Sequence, residues 1–189
     1  MRAVPASRYL AFFSIAVGGC ALDLATKRWI FAWLGNPAIQ CPQPRGAWWL
    51  WPGVIGFETS LNEGALFGMG QGMGALFAAL SLVAALGILW WLFWVGAARQ
   101  WLLAVALACV MAGVLGNLYD RLGLPGLVWK YDGPLHQAGG PVHAVRDWIL
   151  VLIGRWHYPT FNVADSLLVC GAALMIYHAL WTRPEENPS

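Results

Sequence analysis

The chain of 189 residues is 59% hydrophobic and only 11% charged, whereas an ordinary soluble domain is about 45–50% apolar and about 25% charged. A single core of this size cannot bury so many apolar side chains, which excludes a soluble monomer, and the low charge excludes a disordered chain. The formal charge of +2 on scattered basic residues argues against nucleic-acid binding. We therefore expect an all-α polytopic membrane protein, in which the nine carboxylates mark candidate functional positions.

A membrane helix needs about 20 apolar residues. Apolar stretches of suitable length predict four spans, at about 9–34, 68–98, 100–119 and 163–182. The glycine-rich start of the second stretch, 68–74, is a poor helix interior and is expected to be the entry to the span. Residues 1–182 are thus predicted to form one membrane domain, followed by a polar tail at 183–189.

Two long connections join the predicted spans. The first, about 35–64, contains four prolines and a Trp48-Trp49-Leu50-Trp51 cluster. This composition predicts an irregular or β-like segment at the membrane interface, where tryptophan is favoured. The second, about 121–161, ends in an amphipathic stretch around Val145–Ile153, for which a position flat on the membrane is one interpretation.

The N-terminus has two interpretations. Arg2 and Arg8 precede an apolar run that ends in Val17-Gly18-Gly19-Cys20, a pattern similar to a signal peptide with a modifiable cysteine. The apolar run continues beyond Cys20, and three more spans follow. An uncleaved first span is therefore the favoured interpretation.

In a chain that crosses the membrane four times, the end of span one, the start of span two, the end of span three and the start of span four lie at the same membrane face. The polar residues at those ends are Asp23, Lys27, Asn62, Glu63, Asn117, Asp120, Arg121, Asn162 and Asp165. Since a charge inside a bilayer is unfavourable by about 2.5–3.5 kcal/mol, such residues are functional candidates. They also fit structural roles: an i, i+4 ion pair (Asp23, Lys27), a turn (Asn62), a helix end (Asp120, Arg121), and an N-cap with an N3 carboxylate (Asn162, Asp165).

The carboxylates are the best candidates for chemistry. The sequence contains no G-x-S-x-G, no H-E-x-x-H, and no CxxC or Cys/His metal spacing. Two aspartates that share one proton can hydrolyse a peptide bond, because the ionised one activates water while the protonated one polarises the carbonyl. Asp165 stands at a predicted helix N-terminus, which stabilises negative charge. A partner aspartate in the apolar stretch Val145–Ile153 would be held protonated by desolvation and by like charge.

Four motifs, in this order along the chain, resemble those of lipoprotein signal peptidase (signal peptidase II). They are Asp23-Leu-Ala-Thr-Lys27, Asn62-Glu-Gly-Ala-Leu-Phe67-Gly68, Gly116-Asn-Leu-Tyr-Asp-Arg121 and Phe161-Asn-Val-Ala-Asp-Ser166. The resemblance implies a bacterial inner-membrane aspartic endopeptidase, without cofactor or metal, that cuts prolipoproteins just before a diacylglyceryl-modified cysteine. It also implies a small extracytoplasmic β-like cradle after the first span and a periplasmic half-helix before the fourth.

The resemblance also implies roles for individual residues. Asp165 would be the second catalytic aspartate, and the supporting residues would be Asn62, Asn117, Asp120, Arg121, Asn162, Asp23 and Lys27. The first catalytic aspartate departs from the family pattern, because Lys130 stands where the family has aspartate. We favour Asp147 over the alternative Asp132, since a short segment before the fourth span must bring one carboxylate beside the other. Residues 122–144 then form an insertion, for which a lid is one interpretation.

The basic residues alone do not fix the orientation in the membrane. Four of the eleven, Arg2, Arg8, Arg99 and Arg183, fall on the side of the N-terminus, and the others fall on the opposite side. The resemblance implies cytoplasmic termini and a site that faces the periplasm, with prolipoproteins and membrane lipids as partners.

Two other function classes remain open at this point. A small transporter or proton conductor could use Asp23, Lys27, Asp120 and Arg121 as a relay. Such a relay requires polar residues through the whole depth of the bilayer, whereas most of spans two to four lacks them. A non-catalytic membrane scaffold would tolerate the simultaneous loss of Asp147 and Asp165.

Overall fold

A computed structural model of the chain describes residues 4–39, 46–64 and 70–181. Within them, four helices are long and apolar enough to cross a membrane: α1 (Ala6–Leu34), α2 (Gly74–Leu89, continued by a π-helical turn over Trp90–Trp94), α3 (Trp101–Arg121) and α4 (Val163–Trp181). The chain is therefore a polytopic membrane protein, as its composition predicted. The predicted tail at 183–189 and the Phe67-Gly68 end of the second motif lie outside the described residues.

Helix α3 is the centre of the bundle. In its most apolar stretch 67% of the residues are buried, compared with 11–17% in the other three helices. Small residues make this possible: a Cβ added at Gly113 would lie 2.4 Å from the carbonyl oxygen of Ala164 on α4. Small residues at helix contacts allow the close backbone approach on which packing in a membrane depends. Gly113 thus brings the start of α4 against α3.

A four-stranded antiparallel sheet lies at the ends of the helices, in the order β1 (Trp48–Trp51), β2 (Ile55–Asn62), β3 (Val145–Ile153) and β4 (Trp156–Phe161). Each long connection contributes one hairpin, and β2 pairs with β3 across the two. The pairing of Asn62 with Val145 brings the last residue of β2 beside the first residue of β3. The strand β4 leads through Asn162 directly into α4. The β-like character predicted for the first connection is therefore present.

The predicted half-helix at Val145–Ile153 is wrong, because this segment is the strand β3. Five of its nine residues are β-branched or aromatic, a composition that favours a strand. A two-residue turn begins at Gly154, whose φ of 64° suits the first position of a tight hairpin, and returns the chain along β4. The all-α expectation is corrected accordingly: the fold is four helices with one small sheet.

The insertion at 122–144 packs against the first connection. The hydroxyl of Tyr131 donates to the carbonyl of Pro37 at 2.7 Å. Trp129 is buried and stacks on the His136 ring, with 3.5 Å between centroids, and His136 Nδ1 lies 2.9 Å from Glu63 Oε1. The insertion is thus held both to the segment after α1 and to the segment that follows β2.

Candidate active site

Lys27 on α1 lies at the centre of a buried ion network. Its Nζ lies 2.7 Å from Asp23 Oδ2 and 2.9 Å from Asp120 Oδ2. It also donates to Asn117 Oδ1 at 3.0 Å. Lys27, Asp23 and Asp120 have no exposed surface. The i, i+4 pair that the spacing of Asp23 and Lys27 allowed is formed, and it extends across to α3.

Arg146 on β3 completes this network, and sequence reasoning missed it. Its Nη2 and Nε each lie 2.8 Å from Asp120 Oδ1, and its backbone N–H donates to Asp120 Oδ2 at 3.2 Å. A basic residue in a long connection is typical of a solvated surface. The available signal was the charge balance, because two buried carboxylates, Asp23 and Asp120, face a single ammonium and require a second cation.

Asp165 is fixed at the first turn of α4 by a reciprocal cap. Asn162 Oδ1 accepts the Asp165 backbone N–H at 2.9 Å, and Asp165 Oδ2 accepts the Asn162 backbone N–H at 3.1 Å. This is the N-cap and N3 carboxylate that the sequence spacing predicted. Asn117 Nδ2 donates to the other carboxylate oxygen at 2.8 Å. Both oxygens of Asp165 therefore have defined positions relative to α3 and α4.

Asp147 lies on β3, where it is 2% exposed. Asn162 Nδ2 donates to Oδ1 at 2.6 Å, and Asn62 Nδ2 donates to Oδ2 at 3.2 Å. Burial, with a further contribution from the negative charge of Asp165, raises the pKa of Asp147 to about 7, although the two amide donors act in the opposite direction. An aspartate that keeps its proton up to near-neutral pH thus lies beside an aspartate at a helix N-terminus.

Asn62 and Arg121 connect this site to the segment before α2. Asn62 Oδ1 accepts the Gly64 backbone N–H at 3.0 Å, which forms the predicted turn. Arg121 Nη2 donates to the Gly64 carbonyl at 3.4 Å, and its guanidinium carbon lies 5.6 Å from the centre of the Phe77 ring. Arg121 therefore ties the end of α3 to the turn that carries Asn62.

Asp132, the alternative to Asp147, lies elsewhere. Its side chain is exposed, and Oδ1 accepts the Ala138 backbone N–H at 2.9 Å within the insertion. Over the described parts of the chain, Asp132 forms no ion pair or hydrogen bond with Asp147 or Asp165.

The structure joins all nine predicted site residues in one network, which also includes Arg146. Within residues 4–39, 46–64 and 70–181, no group of three His, Cys, Asp or Glu side chains could hold a metal ion. Two neighbouring carboxyl groups, one of which retains its proton near pH 7, can together supply a general acid and a general base.

Comparisons of the sequence with known proteins agree on one family. The family model described as signal peptidase (SPase) II matches residues 15–181. A lipoprotein signal peptidase of Rhodopirellula baltica is 46% identical over 175 residues, which cover 92% of this chain and 73% of that protein. A lipoprotein signal peptidase of Serratia proteamaculans is 35% identical over 159 residues, which cover 82% of this chain and 78% of that protein.

A comparison of the fold finds a solved structure with the same architecture. The structure titled "Bacterial membrane enzyme structure by the in meso method at 2.3 A resolution" superimposes with a TM-score of 0.69 and covers 94% of both chains. The sequence identity of that pair is 23%, so this similarity establishes a shared fold.

Proposed function

The chain belongs to the signal peptidase II family, and on that premise we propose that it is an aspartic endopeptidase whose catalytic dyad is Asp147 and Asp165. It is a multi-pass membrane peptidase that acts on prolipoproteins. The proposed cleavage site is the peptide bond just before a lipid-modified cysteine. The observation that carries the proposed dyad is the position of Asn162, which contacts both carboxyl groups, Asp147 through its side chain and Asp165 through its backbone N–H.

In the proposed mechanism the two aspartates have different roles. The carboxylate of Asp165 removes a proton from a water molecule, which attacks the carbonyl carbon of the scissile peptide. The protonated carboxyl of Asp147 donates a hydrogen bond to the carbonyl oxygen and so stabilises the negative charge that develops there. The tetrahedral intermediate then breaks its C–N bond as the leaving nitrogen receives the proton taken from water.

The surrounding residues act as positioning residues in this proposal. Asn62 and Asn162 orient Asp147, and Asn117 orients Asp165. Lys27, which donates to Asn117, joins this amide to the buried ion network. Preorganised donors of this kind do not have to reorient during the reaction. Such electrostatic preorganisation is the largest contribution to the rate enhancement of many enzymes.

We further propose that the termini are cytoplasmic and that the sheet and the dyad face the periplasm. The sheet then acts as a cradle at the periplasmic surface of the inner membrane. Exposed apolar side chains on the first hairpin, Trp48, Leu50 and Trp51, support this placement, since tryptophan favours the headgroup level.

The substrate proposal is tested with two forms of one precursor. The purified full chain is incubated with a diacylglyceryl-modified prolipoprotein and with the same precursor lacking the lipid, and the products are identified by mass spectrometry. We expect a product that begins at the modified cysteine, and an uncut unmodified precursor. Cleavage at another bond, or equal rates for both precursors, contradicts the proposed specificity. The Asp165→Asn variant, purified in parallel, controls for contaminating proteases.

A further inference from the structure

A cavity of about 660 Å³ lies beside α1, apart from the proposed dyad. Its walls come from one side of α1, the end of α3, the start of the insertion and the start of β3. They include Ala25, Arg28, Ala32, Tyr119, Leu127 and Arg146. Neither Asp147 nor Asp165 lines it. The volume falls within the range of about 300–1,000 Å³ that is typical of small-molecule sites.

The walls of this cavity carry an uncompensated positive charge. Arg146 is already paired with Asp120, whereas Arg28 is exposed. Within the described ranges, the carboxylates form their ion pairs and hydrogen bonds with groups other than Arg28. Among the residues that the structure describes, no aspartate or glutamate lines the cavity, and most of its other lining side chains are apolar. A ligand that complements this site has one anionic group and an apolar body.

The position of Arg28 along α1 identifies the surroundings of the cavity. Arg28 lies about 9 Å from the last residue of α1, at a rise of about 1.5 Å per residue. Trp29 and Trp33 are exposed on the same end of the helix, which places this end at the depth of the lipid headgroups. The guanidinium of Arg28 is therefore at the level of lipid phosphates, with apolar α1 side chains below it.

We propose that this cavity binds one anionic phospholipid, with its phosphate at Arg28 and an acyl chain along the apolar wall that Leu24 and Ala25 help to form. The occupant is a lipid rather than free phosphate, because α1 is long and apolar enough to cross the membrane and most of the wall is apolar. Basic pockets between membrane helices are typical binding sites for anionic headgroups.

The test measures lipid binding and does not depend on peptidase activity. The purified full chain is mixed with equimolar phosphatidylglycerol and phosphatidylethanolamine in detergent, and bound lipids are counted by native mass spectrometry. We expect a preference for phosphatidylglycerol in the wild type and an approximately fivefold weaker binding of it in Arg28→Gln. Arg155→Gln, which removes an equal charge from an exposed hairpin turn, should leave the preference unchanged.

A second variant separates the cavity from general charge attraction. Ala25→Phe fills the cavity without changing the charge and should also weaken phosphatidylglycerol binding. The proposal is overturned if the wild type shows no preference, if Arg155→Gln loses as much binding as Arg28→Gln, or if Ala25→Phe binds as well as the wild type. Displacement of the bound lipid by an excess of soluble glycerol phosphate likewise overturns the assignment to a lipid.

Discussion

Asn162 links the sheet and helix α4 at the proposed dyad. It is the N-cap of α4 and also the last residue before that helix from the sheet, so its position is fixed from both sides. Its amide donates to Asp147 at 2.6 Å and to Asn117 at 3.1 Å. The N-cap at Asn162, which sequence spacing alone predicted, thus also brings Asp147 and Asp165 together.

The pH dependence of cleavage follows from the protonation of Asp147. Its pKa is raised to about 7, so the group is protonated below that pH and loses its proton as the pH rises through it. Since the protonated form is the proposed acid, kcat/KM should fall about tenfold per pH unit above pH 7. A pH profile of the wild type checks this, with Asp132→Asn as the control that keeps the same alkaline limb. An activity that stays constant from roughly one pH unit below this pKa to roughly two units above it contradicts the assigned role.

Lys27 provides a test of the buried network. Lys27→Met leaves two buried carboxylates, Asp23 and Asp120, short of a cation and should lower the free energy of unfolding by about 3–5 kcal/mol. The neighbouring exposed Arg28, changed to Met, should alter it by no more than about 0.5 kcal/mol. Denaturation of both variants in detergent micelles gives the comparison. If both variants are equally stable, the network is not a determinant of the fold.

Sequence patterns identified the candidate site residues but not the cation that pairs with Asp120. Asn117, Asp120, Asn162 and Asp165 stand at helix ends, where the number of membrane crossings and the capping rules apply, so their convergence could be predicted. Arg146 could not be found this way, because its partner Asp120 is distant in sequence and its role depends on the pairing of β2 with β3.

At the scale of elements, the contact between α3 and α4 brings Asp165 to Asn117. Gly116 lies at this contact, and a Cβ added there would lie 2.5 Å from Asp23 Oδ2 and 3.1 Å from Ala164 Cβ. The backbone N–H of Ala164 in turn donates to Asp23 Oδ1 at 2.9 Å. Three helices therefore meet around a glycine that leaves no room for a side chain.

Gly116→Ala should destabilise the protein by about 1–3 kcal/mol through overpacking, and it should reduce activity by moving Asp23 away from Ala164. Gly18→Ala is the matched control, since a Cβ at Gly18 has no neighbour within 4 Å. This second variant should be as stable as the wild type or slightly more so, because alanine loses less backbone entropy in a helix. Thermal unfolding in detergent distinguishes the two. An equal effect of both substitutions contradicts the packing argument.

The sheet was the element that the sequence predicted least well. An amphipathic apolar stretch such as Val145–Ile153 is compatible with a helix on a membrane surface and with a strand. The pairing partner β2 decides between them, because it exchanges backbone hydrogen bonds with β3. Periodicity within one segment carries no information about such a distant partner.

At the scale of the whole molecule, the buried charges are confined to one end of the helix bundle. Between Arg99 and Asp120 the chain has no charged residue, and α2 has none from Gly74 to Trp94. A proton relay across the bilayer would need polar groups along those helices, so this distribution favours the peptidase over a conductor. The composition predicts a membrane protein with few charges, and among the described residues the fold gathers the buried charges at the end of the bundle that carries the proposed dyad.

The proposed orientation predicts which ends of the molecule are accessible from outside the cell membrane. In a background with the native cysteines replaced by serine, Arg155→Cys on the sheet should react with a membrane-impermeant maleimide in spheroplasts. Arg99→Cys, at the opposite end of the bundle, should react only after permeabilisation. Labelling of both before permeabilisation, or of Arg99→Cys alone, contradicts the proposed topology.

The central claim, that Asp147 and Asp165 act together on the scissile bond, is tested most directly by kcat/KM for the lipid-modified precursor. The measurement compares the wild type with Asp147→Asn, Asp165→Asn and Asp132→Asn, all purified in the same way. The account predicts a loss of about 10³-fold or more for each of the first two variants, and a change of no more than about twofold for Asp132→Asn. Full activity in Asp147→Asn or Asp165→Asn, or an equal loss in Asp132→Asn, would contradict it.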